Sequence, residues 1–195
     1  TIEARGGRFL LGTRAHRVRA ENGRVTGVDT SAGSLAADEV LATCALPEIA
    51  DLVAGAVDGA FLERLRRVRY LANTCLVLEL DRSLSNSYWL NVTDPTFPFV
   101  GVIEHTNFEP PESYGGRHIV YLSRYMPAED PLFALGGDAF LDYALPHLQR
   151  MFPGFERRWI LGHHVWTARY AQPVDTTTGH VGFRCVMRQP ANDAW

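Results

Sequence analysis

Residues 36–53 read AADEVLATCALPEIADLV, and this stretch decides the fold prediction for the rest of the chain. Residues 40–42 are a short apolar run that suits a buried strand. Small residues follow, and Pro47 then opens a segment with helical periodicity, where its missing amide costs little because that amide has no intrahelical partner. The stretch therefore predicts a strand, a tight turn and a helix. Such a turn lets a ligand or another backbone approach closely.

Composition and charge narrow the classes of function. The chain has 195 residues, 46% of them hydrophobic and 21% charged, which is enough to bury a full core. A net charge of −3 gives no electrostatic reason to bind nucleic acid. No apolar run approaches the roughly 18 residues of a membrane span. Cys44, Cys75 and Cys185 are odd in number and lack CxxC spacing, which predicts free thiols in a reducing, cytoplasmic compartment.

The first 55 residues predict a small β-meander that leads into the opening stretch. Asn22-Gly23 is typical of the tight turn of a hairpin. The predicted strands are 8–11, 13–20, 24–30, a strand that begins at 35–37, and 40–42, and the predicted helices are 47–53 and 58–67. We interpret residues 1–55 as the first domain.

From Tyr70 onwards the apolar pattern changes to a period of two, with hairpin-length connections that favour an antiparallel sheet. The predicted strands are 73–80, 88–92, 99–105, 118–125 and 159–168. A helix is predicted over 138–151, where Pro146 implies a kink or two helical pieces. The fold class is therefore α+β, a mostly antiparallel sheet flanked by helices plus the β-meander. Residues 56–174 form the second predicted domain, and 175–195 show no period that assigns them.

Several side chains are candidates for binding a small molecule. Glu104, His105 and Asn107 end a predicted strand, where they either line a substrate pocket or satisfy their own loop. Arg169 and Tyr170 follow the last predicted strand. An arginine there either holds a substrate carboxylate in bidentate fashion or covers aromatic surface.

Other candidate chemistry is weaker. Tyr121 belongs to an aromatic-rich sheet, part of which lines an apolar cavity in our interpretation. His163 and His164 are adjacent on a strand and therefore point to opposite faces, so we predict no metal site there. No nucleophile elbow or catalytic triad is found, and no catalytic residue is assigned.

Three motifs in a fixed order carry a family resemblance: GRFLLGT at 7–13, NGRVTGV at 22–28 and ADEVLATCALP at 37–47. Together they resemble the second flavin-binding segment of FAD-dependent amine oxidases, protoporphyrinogen oxidases and carotenoid desaturases. Further along, YWLNV at 88–92, EHTNF at 104–108 and RYAQP at 169–173 are similar to the substrate domain of a protoporphyrinogen-oxidase-like branch. The resemblance covers about residues 1–174.

The resemblance implies that residues 1–55 are part of an FAD-binding domain and that residues 56–174 are a substrate-binding domain. It also implies an FAD cofactor and a role for particular residues. The family's backbone contact on the adenine side falls on Ala15, where the family usually has valine. The turn at Thr43, Cys44 and Ala45, followed by Pro47, matches the turn that lies against the dinucleotide. The implied reaction is hydride transfer from a small organic substrate to flavin, a reaction in which the protein supplies binding and orientation.

The glycine-rich phosphate loop of this family, GxGxxG, is absent from the sequence, and so is its last flavin segment. We therefore expect an internal piece of a longer oxidoreductase, which lacks the remainder of its own chain, is inactive alone and does not retain FAD. Two alternatives stay open. One is a non-catalytic α+β binding module, and the other is a flavin-dependent protein similar to nucleotide-sugar mutases.

Overall fold

The computed structural model describes residues 1–174 and 185–187, which form two compact units. The first unit contains β1 (Ala15–Glu21), β2 (Arg24–Thr30), β3 (Gly33–Ala36), β4 (Val40–Ala42), α1 (Leu46–Leu52) and α2 (Gly59–Arg67). The second contains β5 (Tyr70–Leu80), β6 (Trp89–Asn91), β7 (Gly101–Glu104), β8 (His118–Met126), α3 (Gly137–Met151) and β9 (Ile160–Pro173). A last strand, β10 (Cys185–Met187), belongs to the first unit. The predicted α+β class with antiparallel sheets is confirmed.

The division between the two units lies after Arg69, so α2 belongs to the first. The sequence places a domain boundary near residue 55 instead. The assignment of residues 1–55 and 56–174 to a cofactor-binding and a substrate-binding domain stays a prediction. None of the helices in the described part of the chain is long and apolar enough to cross a membrane.

The first unit is built on an antiparallel meander in the order β1-β2-β3. Asn22 and Gly23 connect β1 to β2 with φ values of 49° and 76°, the positive values that a two-residue hairpin turn needs. α1 packs against β1 and α2, and this small core is completed by the buried side chains of Val18, Leu46, Ile49, Ala50, Val53 and Leu65. The predicted meander and both predicted helices of this unit are therefore present.

Two expectations for the first unit are wrong. Residues 8–11 are not a strand, because no neighbouring strand pairs with them in the described part of the chain and an unpaired strand is not stable in water. The apolar run at β4 is not buried. Among the described residues, β4 pairs with β10 alone in a two-stranded sheet, and the side chain of Leu41 is 63% exposed.

The second unit is a five-stranded antiparallel sheet in the order β6-β7-β8-β5-β9, with α3 packed on one face. Burial along β5 alternates strictly, as expected for a strand with one covered face. The core lies between this face and α3, and its largest buried side chains are Phe99, Phe140, Leu76, Leu78, Leu80, Leu122, Leu141 and Leu148. α3 is a single helix that contains Pro146 on its exposed side, so it is not split into two pieces.

The last strand of this sheet is longer than predicted. β9 continues to Pro173 instead of ending at Ala168, and its register with β5 shifts between the Asn73–Ala168 and Leu71–Gln172 pairs. The predicted loop at 176–179 lies outside the described residues, as does most of the unassigned 175–195 segment. β10 shows that part of that segment is a strand.

Candidate functional site

The first group of candidate residues forms an exposed corner between β4 and α1. Thr43 and Cys44 are exposed, and Ala45 and Pro47 are half-buried. The amide of Ala45 donates to Glu48 Oε2 at 3.3 Å, which holds the first turn of α1. Partial burial, together with the Glu48 carboxylate, raises the pKa of the Cys44 thiol, so this thiol stays protonated at neutral pH. The corner therefore presents small, uncharged side chains to solvent.

Ala15 begins the edge strand of the meander. Both backbone groups of the preceding residue, Arg14, form hydrogen bonds with Ser31. The Arg14 amide donates to Ser31 Oγ at 3.0 Å, and the Arg14 carbonyl accepts from the Ser31 amide at 2.8 Å. Successive residues of an antiparallel pair alternate between bonding to the partner strand and facing away from it. The backbone groups of Ala15 are therefore directed to the outer edge of β1. A backbone contact with a ligand at this position needs no particular side chain.

The five-stranded sheet of the second unit has one face covered by α3 and one face open to solvent. Two rows of cross-strand neighbours lie on the open face: Trp89, Ile103, Tyr121, Val77 and His164 in one, and Asn91, Gly101, Ser123, Cys75 and Trp166 in the other. Trp89 is 53% exposed and Trp166 is 69% exposed. We call these two rows the open face. An exposed tryptophan ring on a sheet face is a candidate for stacking against a ligand.

His105 and Tyr121 come together at the open face. His105 directly follows β7, and its ring packs edge-to-face on the Tyr121 ring with centroids 5.8 Å apart. Its Nε2 shares a hydrogen bond of 2.7 Å with the hydroxyl of Tyr114, whose ring also packs edge-to-face on it. The pKa of Tyr121 is raised, first by partial burial and then by Tyr114 and other nearby groups. Tyr121 is therefore a neutral hydrogen-bonding group at physiological pH.

Glu104 and Asn107 hold the loop before β6. Glu104 is 1% exposed on the covered side of the sheet, and its carboxylate accepts from the amides of Leu84 at 3.1 Å and Ser85 at 2.8 Å. The side-chain amide of Asn107 donates to the carbonyls of Ser85 at 2.8 Å and Ser87 at 3.1 Å. Both side chains thus bind their own loop, which is the second of the two alternatives that the sequence left open. They lie beside His105 in sequence but do not extend the open face.

The sequence predicts that Arg169 and Tyr170 follow the last strand. In the structure they lie within β9 instead. They fall in the segment where β9 has extra residues opposite β5, close to Ala72. The Tyr170 ring packs edge-to-face on the ring of Tyr70 with centroids 5.5 Å apart. Tyr121 is paired with Val77, five residues from Ala72 along β5, so the two groups are separated by about 17 Å at 3.3 Å per residue.

The adjacent histidines of β9 point to opposite faces, as strand alternation requires. His163 pairs with Leu78 on the covered side, and its Nε2 lies 3.2 Å from Asp138 Oδ1. His164 lies on the open face, with its Nε2 3.4 Å from Glu79 Oε1. No cluster of three or more metal-ligating side chains occurs among the described residues.

Sequence reasoning did not identify Tyr114 and Trp166 as parts of this region, and it named Trp89 only within the motif at 88–92. Tyr114 sits in a short 3-10 helix, Pro111–Tyr114, and reaches His105 only through the folded loop. Trp89 and Trp166 come from the two outermost strands, so their place on one face depends on strand order. The alternation of β6 and β9 was the available signal, because it fixes which residues of each strand share a face.

The chain matches the family model described as flavin containing amine oxidoreductase over residues 1–192. No curated protein matches it significantly. Among solved structures, an oxidoreductase from Methanosarcina mazei aligns with a TM-score of 0.66 and 21% identity, covering 87% of this chain and 40% of that protein.

Two further solved structures are similar. A candidate protoporphyrinogen oxidase from Exiguobacterium sp. gives a TM-score of 0.64 at 16% identity, covering 85% of this chain and 36% of that protein. A reduced UDP-galactopyranose mutase gives 0.66 at 12% identity, with the same 85% and 36% coverage. At these identities the similarity shows the fold alone. The chain spans at most about two fifths of the length of these proteins.

Proposed function

The chain belongs to the flavin-containing amine oxidoreductases, and from this premise we propose that it is the substrate-facing part of an FAD-dependent oxidoreductase. In this proposal the five-stranded sheet binds a small organic substrate, and the β1 edge and the β4–α1 corner contact the adenine side of FAD. The reaction is hydride transfer from the substrate to flavin. The open face is the observation that carries the proposal, because the side of the sheet opposite α3 leaves Trp89 exposed and Tyr121 half-buried.

The residues of the first unit fit part of an FAD-binding site. Ala15 offers backbone groups at a strand edge, and Thr43, Cys44 and Ala45 form a corner without bulky or charged side chains. FAD supplies the redox chemistry when it is bound, and the protein's part is to bind and orient. The pyrophosphate of a dinucleotide needs backbone amides of a glycine-rich loop at a helix N-terminus, and the sequence has no such loop. We infer that the chain alone holds FAD weakly or not at all.

Two titrations test the cofactor proposal. FAD added to the purified chain should show no micromolar binding by flavin fluorescence, because the phosphate contacts are missing. The product of the complete reading frame that contains this sequence should purify as a yellow protein whose absorbance is bleached by dithionite. Micromolar FAD binding by the chain alone contradicts the first expectation. A colourless complete product that cannot be reconstituted with FAD supports the alternative of a non-catalytic binding module.

The substrate contacts in this proposal come from the second unit. His105 and Tyr121 supply the hydrogen-bonding groups at the open face, and the exposed ring of Trp89 supplies stacking surface. Glu104 and Asn107 act indirectly, by fixing the loop that leads into β6. Arg169 and Tyr170 remain candidates for a more distant part of the same substrate.

A second candidate function is the rearrangement of a nucleotide sugar. The similarity to UDP-galactopyranose mutase, with a TM-score equal to that of the Methanosarcina oxidoreductase, favours keeping it. The two functions differ in redox balance. An oxidoreductase consumes one equivalent of electron acceptor for each product, whereas a mutase interconverts isomers without net oxidation. The complete, flavin-loaded product is assayed with amine and cyclic alkene substrates for dye reduction, and with UDP-galactopyranose for formation of an isomeric sugar nucleotide. Activity in one assay and not in the other separates the two functions.

A further inference from the structure

The open face contains one hydroxyl that is held in place without a protein partner. Tyr121 lies in the middle of β8, between Ile103 of β7 and Val77 of β5. Within residues 1–174 and 185–187, no group forms a hydrogen bond with the Tyr121 hydroxyl. The phenol is half-buried and its raised pKa keeps the proton on it, since burial and the neighbouring Tyr114, Cys75 and Tyr88 all disfavour the phenolate. The Tyr121 hydroxyl is therefore a hydrogen-bond donor that is available to a ligand.

The surroundings of Tyr121 are rigidly built. His105 packs on the Tyr121 ring, and its Nε2 is fixed by the hydroxyl of Tyr114 at 2.7 Å. The next residue, Thr106, is 7% exposed, and its Oγ1 accepts a hydrogen bond from the backbone amide of Ile119 in β8 at 3.2 Å. His105 begins a short 3-10 helix, His105–Asn107, which is therefore attached to the strand that carries Tyr121. A donor positioned in this way loses little entropy when it binds an acceptor.

A flat apolar surface lies in the same row. The Trp89 indole approaches the backbone of Gly101, where a Cβ atom would lie 3.9 Å from the ring, and its own N–H donates to Asn91 Oδ1 at 2.7 Å. With its N–H already used, the half-exposed indole offers only ring surface. On the other side of Tyr121, the charged groups are paired with one another, because Glu79 contacts both Arg117 and His164. The region around Tyr121 therefore favours a ligand that is flat and uncharged.

We propose that His105, Tyr114 and Tyr121 form the hydrogen-bonding end of the substrate site, and that the ligand class is a neutral, planar ring molecule with an acceptor atom at its edge. The ring stacks on the aromatic surface of the open face, and Tyr121 donates to the acceptor. His105 and Tyr114 are positioning residues. This inference rests on the proposed function for its biological meaning, since it specifies the substrate of the same sheet.

Binding of two simple probes to the flavin-free chain tests the inference, so that its outcome does not depend on whether the protein uses FAD. Quinoline is a neutral planar ring with an acceptor nitrogen, and naphthalene has the same shape without one. In the unchanged protein, both probes should bind, and quinoline should cause chemical-shift changes at Trp89 and Tyr121. Tyr121→Phe should weaken quinoline binding about three- to tenfold, the value of one hydrogen bond, and leave naphthalene binding unchanged.

Matched variants separate positioning from general damage. Tyr125→Phe removes a hydroxyl from a 39% exposed tyrosine of the same strand and should change neither affinity. Tyr114→Phe should weaken quinoline binding less than Tyr121→Phe does, and should lower the pKa of Tyr121 in a tyrosinate titration, because a neighbouring phenol is removed. The inference is overturned if quinoline does not bind at millimolar concentration. It is also overturned if Tyr121→Phe weakens both probes equally or neither.

Discussion

Glu104 shows how a single buried carboxylate organises the loop next to the proposed site. Its two oxygens accept from the backbone amides of Leu84 and Ser85 and from the Ser85 hydroxyl. Hydrogen bonds to a charged group are worth more than neutral ones, and a buried group left without its partner costs additional free energy. The side chain next to His105 in sequence thus contributes to the site through the loop it holds and makes no contact of its own at the open face.

The first prediction concerns this carboxylate. Glu104→Gln should lower the free energy of unfolding by about 2–3 kcal/mol, because one acceptor oxygen is replaced by an amide that faces backbone donors. Urea denaturation measures the change, and hydrogen exchange should show faster exchange of the Leu84 and Ser85 amides. Glu129→Gln is the matched control, since Glu129 is exposed and should change stability little. Equal effects of the two substitutions would refute the structural role of Glu104.

A second prediction at the scale of one residue concerns the acid side of the stability profile. The Ser34 hydroxyl, together with Arg17 and Arg19, lowers the pKa of Asp29 below its usual value of 3.8. A lowered pKa means that the ionised form stabilises the fold above pH 3.8, and that this stabilisation is lost as the pH falls through the lower value of the folded state. Asp29→Asn should therefore flatten the loss of stability below pH 4. Thermal unfolding of the unchanged protein and of Asp29→Asn below pH 4 checks this prediction. Identical slopes of stability against pH for the two proteins would contradict it.

At the scale of elements, the hairpin β1–β2 and the strands of the larger sheet were predictable, because their signals are local. Asn22-Gly23 requires positive φ values, and the alternation in β5 requires one covered face. The predictions of a strand at residues 8–11 and of burial at β4 were wrong for the opposite reason. An apolar run becomes a buried strand only where neighbouring strands cover it, and its own sequence does not specify those neighbours.

The third prediction tests the close packing of the meander. Gly27 has φ of 154° in β2, and an added Cβ atom would collide with the carbonyl oxygen of Leu35 in β3. Gly27→Ala should therefore destabilise the first unit by about 2–3 kcal/mol, because the colliding atom is backbone and cannot move freely. Gly55→Ala is the control, since nothing lies within 4 Å of its Cβ position. Unfolding followed by circular dichroism gives both values, and a harmless Gly27→Ala would exclude this packing.

For the whole molecule, the sequence predicted the class of fold, His105 at the end of a strand and Tyr121 within one, but not the composition of the open face. Tyr121 pairs with Ile103 and Val77 only because β8 lies between β7 and β5. That order comes from long-range pairing, which no local pattern encodes. Arg169 and Tyr170 illustrate the same limit, since the additional pairing with β5 extends β9 through residues that the sequence places after the predicted strand.

The last prediction concerns the independence of the second unit. Tyr70 pairs directly with Pro173, so the two ends of residues 70–174 meet as neighbours at the end of β5 and β9. The large buried side chains of the second unit, such as Phe99, Phe140 and Leu122, all lie within residues 70–174. A segment of roughly a hundred residues with such a core folds alone in many proteins. Residues 70–174 expressed alone should therefore unfold in one cooperative urea transition and retain dispersed NMR signals for Tyr121 and Trp89. A non-cooperative transition with collapsed signals would show that the sheet depends on the rest of the chain.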